Sequence, residues 1–184
     1  MNIVDGFRVV AGLAGLMLAL QVINALSGYS LNGFGLLPQS PAGLAGIVVA
    51  PFLHGSFVHL AGNLLPFLVL GTLVAAEGRR RFVAVSLVVV LLGGLLVWLF
   101  GREGLHIGAS GWVFGLWTWL LARAWYRRSA RNLLAAGLAL FLYGGLVFGL
   151  LPWRGTSFES HIAGALAGLV AARLLPPAGR GARA

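Results

Sequence analysis

Residues 106–128 read HIGASGWVFGLWTWLLARAWYRR. The apolar centre is bounded by histidine, glycine and serine at one end and by Arg127 and Arg128 at the other. From Ser110 to Arg127 is seventeen positions, roughly 25 Å of helix at about 1.5 Å per residue. With the arginines at one interface, Ser110 lies several Å below the opposite edge of a hydrocarbon core ~30 Å thick. A membrane span that starts on a serine inside the bilayer is costly unless that serine faces other polar groups or water.

The rest of the chain supports the membrane reading. Of 184 residues, 59% are hydrophobic and only 9% charged, with a mean hydropathy of +0.94. A soluble domain of this length needs far more charge to cover its surface. Apolar windows fall at about 9–26, 57–76, 82–100, 109–126, 133–151 and 158–175, each about long enough to cross as a helix. The predicted fold class is therefore an all-α integral membrane bundle of six transmembrane helices in a single domain, 1–184. The first window is read as a retained helix: its apolar run is long for a signal peptide, and Asp5 accompanies Arg8 before it. The connection at about 29–55 carries no charge and holds Pro38, Pro41 and Pro51, so it is expected to lie at the outer leaflet as short interfacial pieces.

A net charge of +9 would suggest nucleic acid in a soluble protein, but every basic residue here is arginine and lies between apolar runs. If the helices alternate, Arg8, Arg79, Arg80, Arg81, Arg123, Arg127, Arg128, Arg131, Arg173, Arg180 and Arg183 share one side, against Arg102 and Arg154 on the other. The positive-inside rule then places both termini in the cytoplasm. No nucleic-acid partner is expected. The predicted localisation is a multi-pass protein of the bacterial inner (plasma) membrane.

On this topology His54, His59, Asn63, His106, Ser110 and His161 all fall at the outer ends of the second, fourth and sixth spans or in outer loops. They are expected to line a polar cavity open to the outside. His59 and Asn63 share a helical face at i, i+4. Gly111 with Gly115 and Gly164 with Gly168 form small-xxx-small pairs that let backbones approach closely. Ser110 and His161 can then share a hydrogen bond of ~3 Å. A neutral serine needs an adjacent base, and histidine is best matched near pH 7. No carboxylate is well placed behind that histidine: Asp5 and Glu77 are on the wrong side, Glu103 is in a loop, and Glu159 precedes His161 by only two residues. A Ser–His dyad follows. Cysteine is absent, which excludes disulfides and thiolate chemistry. No metal or other cofactor is expected.

Three motifs together resemble rhomboid intramembrane serine proteases. They are Pro51–Asn63 (PFLHGSFVHLAGN, His-x4-His-x3-Asn), Gly108–Gly111 (GASG) and His161–Gly168 (HIAGALAG). The resemblance implies that Ser110 is the nucleophile and His161 the general base. His59, the Asn63 amide and the Ser110 backbone N–H would form the oxyanion hole. His54 would organise the first loop, Phe114 would lie against the base, and Gly108 and Gly111 would leave room for tight backbone. The substrates would be single-span membrane proteins within the lipid bilayer. Two features depart from the family pattern: Ala45-Gly46 stand where a Trp-Arg pair is common, and Glu77 is slightly far from Asn63 for the family's helix-2 glutamate. Two readings compete. A catalytically silent relative that binds transmembrane segments has no need for both Ser110 and His161. A haem or metal protein explains neither Ser110 nor the glycines and supplies no carboxylate or thiolate ligand.

Overall fold

A computed structural model describes residues 3–153 and 155–175; Arg154, Arg180 and Arg183, used above for orientation, lie outside the described residues. The long helices are α1 (Ile3–Leu26), α3 (Phe57–Ala75), α4 (Arg79–Phe100), α5 (Ser110–Tyr126), α6 (Ala130–Tyr143) and α7 (Phe158–Leu174), with a short α2 (Gly46–Val49) in the first connection. They track the apolar windows, although α1 begins at Ile3 and α6 at Ala130, ahead of the expected 9 and 133, and two further differences stand out. α4 starts at Arg79, so its three arginines form the first helical turn and do not lie outside it. The fifth window is split, because α6 passes after Tyr143 into a 3₁₀ segment, Gly144–Leu150. Among the described residues no β-strand forms; one isolated bridge joins Leu36 and His106.

Among the described residues, four helical stretches are long and apolar enough to cross a membrane: Val4–Leu26, Phe57–Ala75, Arg79–Phe100 and Ala130–Leu150. The chain is an integral membrane protein. α5 and α7, the other two expected spans, have 17 residues each, about 25 Å at the helical rise, against about 33 Å for α4.

α5 is the central helix, and its buried residues include Trp112, Leu116, Trp119 and Leu120. The Trp112 ring packs edge-on to Phe67 at 4.8 Å, and its indole N–H donates to Ser86 Oγ at 3.0 Å. α5 and α7 cross at glycine. A Cβ on Gly164 would fall on the Gly111 backbone, and one on Gly168 would fall on the Gly115 carbonyl and Thr118 Oγ1. Because both faces lack side chains, Thr118 Oγ1–H reaches across to the Ala165 carbonyl at 2.8 Å. Small residues substitute here for the hydrophobic driving force that lipid does not provide.

At the opposite end of α5 from Ser110, Arg123 donates from Nε and Nη2 to Glu77, both at 3.3 Å, and Arg81 stands 3.6 Å from the same carboxylate. Glu77 is thus neutralised where it is almost wholly covered. The pair ties the α3–α4 turn to the end of α5. The N-terminal turn of α1 is at this end too, since a Cβ on Gly6 would meet the Ala75 carbonyl.

Candidate active site

Ser110 is the first residue of α5, and the backbone before it is held at positions 106, 108 and 109. His106 N–H donates to the Leu36 carbonyl at 2.9 Å and Leu36 N–H to the His106 carbonyl at 3.0 Å; Gly108 N–H donates to the Ala50 carbonyl at 2.9 Å. Ala109 N–H donates to His54 Nε2 at 3.3 Å. The uncharged first connection, expected as interfacial pieces, does consist of short helical segments, and it also forms the wall that fixes 106–109. Gly108 has φ +109°, a conformation L side chains rarely adopt. A Cβ there would also lie 2.7 Å from His59 Nε2 and 3.7 Å from Asn63 Nδ2.

His161 is in the first turn of α7, and its Nε2 is 2.9 Å from Ser110 Oγ. Its Nδ1 is 2.7 Å from the Gly149 carbonyl. A carbonyl can only accept, so Nδ1 carries the proton and a neutral ring presents its Nε2 lone pair to the Ser110 hydroxyl. The Phe114 ring lies flat on the imidazole, centroids 4.3 Å apart at 5°. The histidine is thus oriented by a backbone carbonyl and an aromatic face, and no carboxylate stands behind it among the described residues.

His59 and Asn63 line the same cleft. Ser56 caps α3 by accepting from His59 N–H at 3.0 Å. Gly55 N–H points at His59 Nδ1 at 3.4 Å, which leaves Nε2 as the protonated nitrogen, directed toward Gly108. Asn63 Nδ2 donates one hydrogen to the His59 carbonyl at 2.9 Å, and its second amide hydrogen remains for a ligand. The cleft has a volume of about 800 Å³ and is lined by Ser110, His161, His59, Asn63, Phe114 and loop residues including Arg102 and Thr156. The hydroxyl and the base are in contact and two hydrogen-bond donors line the same cleft, an arrangement suited to acyl transfer.

The family model for the Rhomboid domain matches residues 41–178. The chain belongs to the rhomboid family. An uncharacterized protein of Mycobacterium tuberculosis is 39% identical over 179 residues, covering 92% of this chain and 75% of that protein. A Mycobacterium leprae protein, also uncharacterized, is 36% identical over the same length, with 71% of it covered. RHOMBOID-like protein 4 of Arabidopsis thaliana is 32% identical over 125 residues, 65% of this chain and 31% of that protein.

Several groups around this rhomboid site were not singled out from sequence. Gly149 acts through its carbonyl, which no residue type advertises; a Cβ there would lie 2.7 Å from the Phe114 ring. Asn24, fully buried on α1, donates to Asn32 Oδ1 at 2.9 Å and to the His54 carbonyl at 3.3 Å, and accepts from Leu31 N–H at 3.1 Å. It fixes the loop that carries His54. Across the outer end, Arg102 pairs with Glu159 at 2.8 Å and donates to the Thr156 carbonyl at 2.6 Å. His106 Nε2 donates to the Arg102 carbonyl at 3.1 Å, so its Nδ1 accepts from Ser157 Oγ, which is 2.6 Å from Ser160 Oγ. Glu159 thus faces Arg102 and leaves His161 to Gly149. At Ala45-Gly46, where the rhomboid pattern often has Trp-Arg, a Cβ on Gly46 would collide with the Leu36 backbone. The close packing of the first connection leaves no room for a side chain at position 46, while Ala45 is exposed.

His54 makes the rhomboid chain sensitive to acid. Burial, with the neighbouring His59 ring adding to it, lowers its pKa from 6.5 to about 4, against a small opposing effect of the Phe52 carbonyl. Between those values the unfolded chain binds the proton and the folded chain does not. Stability is therefore full above pH 6.5 and falls as pH drops toward 4, at about 1.4 kcal/mol per unit and by up to about 3 kcal/mol in all. Thermal unfolding in detergent from pH 4 to 7.5 should show this slope, and His54→Gln should make it shallower. Parallel slopes for the two proteins would remove His54 from the account.

Proposed function

We propose that this chain is an intramembrane serine endopeptidase that cuts transmembrane segments through a Ser110–His161 dyad. The supporting observation is the 2.9 Å contact between Ser110 Oγ and His161 Nε2, with Nδ1 committed to the Gly149 carbonyl. His161 takes the hydroxyl proton as Ser110 Oγ attacks the scissile carbonyl, and it returns that proton to the leaving amine. The tetrahedral oxyanion is held by the free amide hydrogen of Asn63, by His59 Nε2–H and by the Ser110 N–H. Water from the cleft then attacks the acyl-enzyme, with His161 again as base. All six long helices cross the membrane in this reading, both termini are cytoplasmic, and the protein resides in a bacterial inner membrane.

Asn63→Ala should slow turnover by about 10²–10³, the usual effect of losing one oxyanion donor, and leave substrate binding unchanged. If kcat stays at the wild-type level in detergent and in vesicles, Asn63 has another role.

A carbonyl within an intact helix is hydrogen-bonded and shielded, so the substrate must unwind at the cleft, which glycine or proline favours. The experiment is cleavage of single-span proteins in reconstituted vesicles, with products mapped by mass spectrometry. A glycine- or proline-softened outer segment should be cut there, replacing that segment with leucines should protect it, and Ser110→Ala should cut neither. Cleavage near the cytoplasmic end, or equal cutting of the all-leucine version, overturns the site's depth. Absence of cleavage, with no labelling of Ser110 by a fluorophosphonate probe, would instead favour a silent relative that only binds such segments.

A further inference from the structure

The end of the bundle opposite the cleft carries positive charge that the chain itself does not neutralise. Its two acids there are already engaged. Asp5 stands 3.5 Å from Arg8, and Glu77 faces Arg123 and Arg81. Arg79, Arg80, Arg127, Arg128 and Arg131 are all exposed, and among the described residues none of the five is in an ion pair. Three of them also lie where the backbone makes positive charge least favourable. Arg79 and Arg80 open α4 and Arg131 is in the first turn of α6, with no acidic residue in either first turn. Helix N-termini carry partial positive charge, so these cations repel both one another and the helix ends. The Glu77–Arg123 pair ties the turn before α4 to the end of α5, which leads through Arg127 and Arg128 into α6.

Beside them, Trp125 is 72% and Tyr126 51% exposed, and the Arg128 guanidinium lies 5.3 Å from the Trp125 ring centroid. Exposed amphipathic rings of this kind belong at a membrane–water interface. The turn that carries the patch is built, since Asn132 Nδ2 donates to the Arg127 carbonyl at 2.7 Å and Ser129 caps α6.

We propose that this arginine corner is a binding site for the phosphate headgroups of anionic phospholipids. These supply the counter-charge that the α4 and α6 starts lack. At interfacial depth the phosphate of a lipid is held next to the arginines by its own acyl chains, which a soluble anion is not. The site is independent of cleavage at the opposite end.

The test compares unfolding of the full chain in vesicles of phosphatidylglycerol mixed with phosphatidylcholine and in phosphatidylcholine alone. The wild type should unfold higher by at least about 5 °C in the mixture. Arg127→Gln/Arg128→Gln/Arg131→Gln and, separately, Arg79→Gln/Arg80→Gln should each lose at least half of that gain. If the triple variant fails to fold, the double variant and counting of retained lipids by native mass spectrometry decide the matter. Equal unfolding of the wild type in the two lipids, or an undiminished gain in the variants, overturns the proposal. So does the same gain in pure phosphatidylcholine from millimolar inorganic phosphate or from a short RNA duplex, since either would make the corner a site for soluble anions.

Discussion

Ser110→Ala and His161→Ala are each expected to lower cleavage of a transmembrane substrate by at least about 10⁴-fold, with the double variant no slower than either. The two side chains act as one unit. Among the described residues the Ser110 hydroxyl bonds to His161 alone, and without Ser110 the imidazole has no hydroxyl to activate. The other cleft hydroxyls do not replace it. Ser157 is held between His106 and Ser160, and Thr156 Oγ1 donates to the Trp153 carbonyl at 2.9 Å. The fold should survive both changes, because neither alters Gly111, Gly115, Gly164 or Gly168, where the α5 and α7 backbones approach most closely. Rates in reconstituted vesicles, together with fluorophosphonate labelling, provide the measurement. Should His161→Ala keep even a tenth of wild-type activity, the base is another group.

Gly164→Val should lower activity by at least about 10²-fold and thermal stability at the same time. A Cβ at this position falls on the Gly111 carbonyl, one residue from the nucleophile. The α5–α7 crossing must open to admit it, and overpacking of this kind costs about 1–3 kcal/mol or more. A displacement of about 1 Å between Ser110 and His161 is enough for the loss of rate. Gly137→Ala on α6 is the matched control. Nothing lies within 4 Å of its Cβ, so it should be neutral or stabilising by up to about 1 kcal/mol. A Gly164→Val protein with wild-type unfolding but no activity would place the effect at His161 alone. Wild-type activity would mean that the crossing can widen freely.

Hydropathy and arginine spacing were sufficient for the helical membrane class and for most helix limits, because in lipid the length and polarity of a segment are themselves the constraint. Where limits differed, a local cause is visible. Arg79, Arg80 and Arg81 are polar enough to bound an apolar window, yet nothing about them stops a helix. The glycines at 144, 145 and 149 loosen the end of α6 while its hydropathy stays high.

The cluster of Ser110, His161, His59 and Asn63 was legible because each is a polar residue near the end of an apolar window and because their motifs have fixed spacing. The glycine pairs were legible for the same reason: small residues at i, i+4 mark a close crossing wherever they occur. The Glu77–Arg123 pair left a signal of its own, opposite charges at the same end of two apolar windows.

What the linear chain could not supply is pairing at a distance through groups that every residue possesses. The Gly149 carbonyl that fixes the His161 tautomer, and the Leu36, Ala50 and Asn24 contacts that hold the first connection to the serine loop, use backbone atoms or a single amide. Such atoms acquire a role only when the fold brings them within ~3 Å of a partner. The sequence by itself therefore determined which polar side chains stand at the ends of apolar helices and so could gather in one cleft. The tertiary structure decided which nitrogen of His161 is free to do it, since that depends on one carbonyl twelve residues away in the chain.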